Sequence, residues 1–432
     1  MNQNSSGFRP IHYMGNKSKF LAEITTEMRA LTPRGSTVVD LFAGSGVVTR
    51  ALGQLGPVVS ADIQAYSSVL VSALCNPFEI TDEQISKRIE AAESWIGDLG
   101  DDIRPLLDYE EDAILKSNDD PRALALLAEG RFSSDGLAGD SRLSASLQQA
   151  LPAMVGSGAT IAPYYGGSYF SFRQALELDA ISATTPRGKE AASNTVIASL
   201  LGAASNSVAS VGNHFAQPTR VIDARGTIKK SAIRSVATAR KASIFQIFGE
   251  RLRQYRAVTP TLYQCDSMTG DYRSILTTLP GSVDAIYADP PYTRDHYSRF
   301  YHILETLALG DDPGVTSSSA SSTPSRGLYR KQRHQSPFSI RSQAHGAFDE
   351  LYRLSRGLEA PVVLSYSPRG PGTQARPETR LLSIEEIEAI AGRYYRSVDL
   401  KVIDGSSHSR FNLRRLNSEP DLGAEVMVIA TL

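Results

Sequence analysis

An α/β fold built on an open, mostly parallel sheet is what this sequence predicts, and three observations predict it. Short apolar strands run into turn-forming segments that carry acids: Val283 to Ala288 ends at Asp289-Pro290-Pro291-Tyr292, Thr37 to Phe42 ends at Ala43-Gly44-Ser45-Gly46, and Val58 to Ala61 closes on Asp62. Strand-like and helix-like stretches alternate in both flanks of the chain, a pattern that implies a parallel sheet covered on both faces. Between the flanks, 79–257 reads as mostly helical, so a sheet domain of 1–78 and 258–432 is expected to be split by an insert.

The elements justify this in chain order. Tyr13-Met14-Gly15-Asn16-Lys17-Ser18-Lys19 precedes an amphipathic helix with Phe20, Leu21, Ile24, Met28 and Leu31 on one side. The strand Thr37 to Phe42 follows, then the glycine loop and a helix from Val47 to about Leu55. Glycines at such a junction let the backbone turn sharply and pass close to a ligand. Asp62 ends the next strand roughly twenty residues beyond the loop, the spacing at which an acid reaches ribose hydroxyls in a nucleotide-binding βαβ unit. The loop has two glycines and Asp40 at its entrance, which departs from the three-glycine pyrophosphate fingerprint. An acid there suits a cationic ligand group better than a phosphate. A helix near 67–74 completes this half. The other half is expected to hold strands near 258–264, 283–288, 361–366, 396–403 and 425–431, alternating with helices near 294–308, 343–357 and 383–393. The last strand, reached through a polar loop, is expected to run antiparallel.

Within the insert, Thr81-Asp82-Glu83-Gln84 is a capping box opening a helix that carries Ile85, Ile89 and Ile96. Tyr164-Tyr165-Gly166-Gly167-Ser168-Tyr169-Phe170 leads into a helix-like stretch from Arg173 to Ile181. Two readings of the aromatic cluster compete, contact with a ligand or its rim and packing of the insert against the sheet; aromatic residues favour packing. Thr316 to Gln343 is Ser-rich and then basic, with Arg326, Arg330, Lys331, Arg333, His334 and Arg341. It reads either as a loop that grips a phosphate backbone or as a surface linker.

Asp289-Pro290-Pro291-Tyr292 carries the most chemistry. Two prolines cannot continue a sheet ladder, so the strand stops and leaves a carboxylate, a prolyl carbonyl and an aromatic ring at its carboxyl end. Carboxylate and carbonyl together form an acceptor pair for an exocyclic amino group, and the tyrosine face can stack on a flat heterocycle. Taken alone, the segment is equally a strand-to-loop turn.

In their order and spacing, the Gly15-Asn16-Lys17 element, the glycine loop and Asp289-Pro290-Pro291-Tyr292 resemble the Dam-like (alpha-class) DNA adenine-N6 methyltransferases, with further similarity at Leu364-Ser365-Tyr366-Ser367 and Glu425-Val426-Met427-Val428-Ile429. The resemblance implies a Rossmann-like S-adenosylmethionine-dependent methyltransferase fold, a mostly parallel seven-stranded sheet whose helical insert recognises the target sequence. It implies that Tyr13, Asn16, Lys17, Asp40, Phe42, Gly44, Gly46, Asp62 and Asp266 bind S-adenosyl-L-methionine, Asp266 as the residue that contacts the cofactor adenine at the end of a strand Leu262 to Cys265. Asp289, Pro290, Pro291 and Tyr292 would be catalytic on a flipped-out adenine, with no metal. Arg326, Arg330, Lys331, Arg333 and Arg341 would contact double-stranded DNA. A cytoplasmic prokaryotic or phage monomer is implied, with a cognate restriction endonuclease or other defence-system component as a further partner. Amino methylation of cytosine N4 or of RNA, and a non-catalytic sequence-specific DNA-binding relative, stay open as alternatives.

Composition adds bounds. A formal charge of −1, from 45 Lys and Arg against 46 Asp and Glu, offers no global attraction for nucleic acid. The distribution is uneven: Arg220 to Arg256 holds ten basic residues and two acids, Asp223 and Glu250. That is either a local nucleic-acid footprint or a solvated helix face. Two cysteines, Cys75 and Cys265, offer neither a disulfide framework nor a zinc pattern and fit a reducing compartment. No segment resembles a signal peptide or approaches membrane-spanning length.

Overall fold

The computed structural model describes residues 8–15, 17–130, 140–188, 190–279, 282–293, 296–317, 324–367, 381–403, 411–412 and 425–432. The chain divides into a helical unit (1–12, 77–258 and 299–333) and a sheet unit (13–76, 259–298 and 334–432).

The sheet unit contains β1 (Val38–Leu41), β2 (Val58–Asp62), β3 (Cys265–Thr269), β4 (Ala285–Ala288), β5 (Val362–Tyr366), β6 (Ser397–Ile403), β7 (Phe411–Asn412) and β8 (Glu425–Thr431). Their order is β3-β2-β1-β4-β5-β8-β6-β7. The first five run parallel, and β8 lies antiparallel between β5 and β6. The expected seven strands are all present, with the two-residue β7 added at the edge beyond β6. One strand is displaced. It spans Cys265–Thr269 rather than 258–264, because Pro260 interrupts the earlier stretch and the ladder to β2 starts at Cys265.

Both faces of the sheet are covered. Val38, Ala285, Tyr287 and Val363 pack with Ile24, Met28, Val48 and Leu52 from the helices Leu21–Leu31 and Val47–Leu52. The alternate positions, Val39, Leu41, Ile286, Ala288, Val362 and Leu364, pack with Ile275, Phe348, Leu351, Ile387 and Ile390 from the helices Tyr272–Thr278, Arg341–Gly357 and Ile384–Ala391. Strand residues buried on both faces explain the near-continuous apolar runs in the sequence.

The helical unit opens with the Thr81 capping box on the helix Asp82–Gly97. Buried carboxylates bind helix starts within it. Glu110 accepts the amide hydrogens of Phe172 and Arg173 at 2.8 and 3.1 Å, and Asp179 accepts those of Thr160, Ile161 and Ala162. Burial raises both carboxyl pKa values, that of Asp179 to about 6. The aromatic cluster turns inward: Tyr165, Tyr169 and Phe170 are buried among Phe215 and His302, and the Tyr169 hydroxyl donates to the carbonyls of Phe215 and Gly327. It therefore packs the helical unit itself. The same contacts place 299–333 in this unit, since His302 bonds the Phe215 carbonyl at 3.0 Å and the Tyr329 hydroxyl donates to Ala216.

Candidate active site

An open cavity lies at the carboxyl ends of the parallel strands of the sheet unit. This is where an open α/β sheet leaves room for a ligand. Asp289, Pro290, Pro291 and Tyr292 all line it, as do Tyr13, Lys17, Phe42 and Asp62. Residues separated by up to 279 positions, Tyr13 to Tyr292, thus share one wall because β1, β2 and β4 are neighbours.

The glycine loop is held by Asp62, whose carboxylate oxygens accept the amide hydrogens of Gly44 and Gln64, each at 2.9 Å. Its pKa is raised by burial, against these hydrogen bonds. Gly44 has φ +54°, and a Cβ there would lie 2.5 Å from the Tyr13 hydroxyl. Glycine is therefore required for Tyr13 to close over the loop. Gly46, at φ +78°, turns the chain into the helix Val47–Leu52, and neither glycine is itself on the cavity wall. Phe42 adopts φ +64° and packs against Tyr272 and Phe338.

Two sequence assignments are corrected by the strand geometry. Asp40 is buried and not on the cavity wall. It shares the parity of Val38, so its side chain points beneath the helix Val47–Leu52 and accepts the Thr49 hydroxyl. Burial, with Asp289 and Asp62 nearby, pushes its pKa up to about 7. Asp266 is the second residue of β3, exposed and bonded to the Gln264 side chain. The acid on the wall after β3 is Asp271, which also caps the helix Tyr272–Thr278. Asn16 lies outside the described residues.

At the end of β4, the Lys17 ammonium lies 3.0 Å from Asp289 and 3.1 Å from Glu425. Burial alone would lower its pKa, but Asp289, Tyr292, Glu425 and Tyr287 hold it well above the usual lysine value. Tyr292 packs on Tyr366 with ring centroids 4.7 Å apart, and the Pro291 carbonyl accepts the Ser339 hydroxyl at 3.1 Å. Beneath them the Tyr287 and Ser365 hydroxyls bond at 2.8 Å. The wall offers carboxylates and aromatic faces, an acceptor set that fits a nucleoside bearing hydroxyls and an amino group. Asp271, Tyr66 and Tyr297 on the wall escaped sequence reasoning, which met His334, also on the wall, only in the basic run and Glu425 only as the start of a strand. Asp271 carries the same signal as Asp62, an acid just past a strand, once β3 is correctly bounded.

The proposed DNA loop is partly spent on internal pairing. Arg330 is buried and bonded to Asp311 at 2.7 Å, and Arg326 lies 3.5 Å from Glu129. Lys331 is exposed, and Arg333 lies over the Tyr329 ring. Arg341 begins the helix Arg341–Gly357 of the sheet unit, whereas the other four belong to the helical unit.

A family model for D12 class N6 adenine-specific DNA methyltransferases matches residues 13–98 and 226–353. Modification methylase LlaI of Lactococcus lactis subsp. lactis is 36% identical over 86 residues, 20% of this chain and 12% of that protein. The chain thus aligns with about an eighth of the length of this curated relative.

Proposed function

Because the chain belongs to the D12 class N6 adenine-specific DNA methyltransferase family, we propose that it transfers a methyl group from S-adenosylmethionine to the N6 amino group of adenine in double-stranded DNA. The observation that carries this reading is the single cavity wall shared by Asp289, Pro290, Pro291 and Tyr292 with Asp62, Phe42 and Tyr13.

The adenine amino group lies inside the duplex stack, so the nucleotide must rotate outward at a cost of a few kcal/mol. Tyr292 offsets part of that cost by stacking, a contact worth about 1 to 3 kcal/mol. Asp289 and the Pro290 carbonyl accept the two amino hydrogens and direct the nitrogen lone pair along the transfer axis, so orientation and electrostatics supply most of the acceleration. S-adenosylmethionine, when bound, supplies an electrophilic methyl group on a sulfonium. Asp62 would hold ribose hydroxyls through its remaining lone pairs, and Phe42 and Tyr272 would face the adenine ring. Asp271 would accept from its amino edge.

The helical unit would recognise the target sequence, and exposed Lys331 and Arg341, with half-buried Arg333, would meet phosphates. The similarity to a protein named a modification methylase supports a restriction-modification setting, with a cognate endonuclease as partner. Among the described residues no helix is long and apolar enough to cross a membrane.

The test is incubation of purified protein with tritiated S-adenosylmethionine and unmethylated genomic DNA, followed by nucleoside analysis. N6-methyladenine confined to one short motif is expected. Label in cytosine or RNA would redirect the reading to another amino acceptor, and tight DNA binding without label would replace it by a non-catalytic relative.

A further inference from the structure

Lys17 poses an electrostatic problem that Asp289 cannot solve alone. An ammonium 3.0 Å from the carboxylate meant to receive the substrate amine cancels the charge of that carboxylate. During transfer a carbon–nitrogen bond forms at N6 as the donor's carbon–sulfur bond breaks, so positive charge builds on N6 until one of its protons leaves to solvent. A neutral Asp289–Lys17 pair would do little for that charge. A net negative group would do more.

The fold supplies a second carboxylate. Glu425 is the first residue of β8, and β8 runs antiparallel to β5 with Val426 opposite Tyr366. Its start therefore lies at the carboxyl edge of the parallel strands. Glu425 is buried behind Lys17, 3.1 Å from the ammonium, and is not on the cavity wall, whereas Asp289 is. One lysine with three donors thus bridges a carboxylate facing the substrate and one facing the protein.

We propose that Glu425 is a positioning residue for methyl transfer: it neutralises Lys17 from behind, so that Asp289 acts on the substrate amine as an anion rather than as half of a neutral pair. The trio Asp289, Lys17 and Glu425 then carries one net negative charge against the cation developing at N6. Lys17, held by Glu425, can also move off Asp289 as the amine enters without losing its partner. This assignment rests on the methyltransferase reading of the site.

Glu425→Gln keeps the shape and the acceptor oxygen and removes only the charge. In single-turnover assays on unmethylated DNA with saturating tritiated S-adenosylmethionine, the transfer rate is expected to fall on the order of 10- to 100-fold. Cofactor affinity and melting temperature should stay near those of the parent protein. Glu425→Asp should recover part of the rate. Combined with Lys17→Met, the same substitution should cost less than about threefold relative to Lys17→Met alone, because the charge it balances is gone. A rate within about twofold of the parent for Glu425→Gln would overturn the assignment. So would an equal loss in the Lys17→Met background, or a loss confined to cofactor affinity or melting temperature. A parent protein that methylates DNA while any of these results is obtained leaves the reading of the site standing and removes only the role of Glu425; a parent protein that transfers no methyl group removes both.

Discussion

Asp40 sits at the tip of β1 where the sequence places a ligand-binding acid, yet strand parity turns its carboxyl under a helix and onto Thr49. Its chemistry is that of a buried group near two further acids, and its pKa of about 7 lies far above the ordinary 3.8. The folded protein therefore binds a proton at Asp40 that the unfolded chain has released, and stability falls as pH rises from about 4 to about 7. The loss from this group alone is up to about 4 kcal/mol. Asp40→Asn keeps a polar partner for Thr49 and has no charge to acquire. Denaturant melts of the two proteins at pH 4, 5, 6 and 7 should show the difference in their stabilities growing in favour of the variant across that window. A constant difference would mean that Asp40 is ionised throughout.

At the scale of elements, legibility followed burial. Strands β1, β4 and β5 are covered on both faces, and their apolar runs located them in the sequence to within a residue or two. The edge strand β3 is half exposed, and its residues Cys265-Asp266-Ser267-Met268-Thr269 lack an apolar run, so the nearby Leu262 and Tyr263 drew the assignment. That shift moved the proposed cofactor acid from Asp271 to Asp266. Titration of S-adenosylmethionine by calorimetry separates the two positions: Asp271→Ala should weaken binding roughly tenfold, and Asp266→Ala should leave it within about twofold. The reverse order would restore Asp266. The basic segment shows the same limit, because sequence reveals charge but not its partner. Arg330 is buried on part-exposed Asp311, so Arg330→Ala should destabilise the protein by about 1 to 3 kcal/mol, chiefly through lost packing. Exposed Lys331→Ala should leave stability alone and lower the salt slope of DNA affinity by about 1. Equal effects of both on that slope would put Arg330 back among the phosphate contacts.

Across the molecule, a formal charge of −1 conceals how the basic residues are spent. Four of the ten between Arg220 and Arg256 are consumed inside the helical unit. Arg240 is buried, bonds the Gly167 carbonyl and lies in the field of Glu110; Arg251 bonds the Arg9 carbonyl and Asn206; Arg253 and Arg256 both bind Asp82. Lys230, Arg234 and Lys241 are exposed and form no ion pair with a carboxylate among the described residues. Their spacing of four and seven residues along and just past the helix Lys230–Arg240 places them in one stripe. A stripe of unneutralised cations attracts a polyanion, and each phosphate it meets releases counterions. Replacing all three by Gln should therefore lower affinity for every DNA sequence alike and flatten the log–log salt slope by about 2 to 3. Replacing Arg253 and Arg256 should flatten the slope by no more than about 1, because Asp82 already meets one of their two charges. If the triple variant keeps the parent slope, the stripe is a solvated helix face and the neutral balance of the whole chain, not its local charge, describes how it meets DNA.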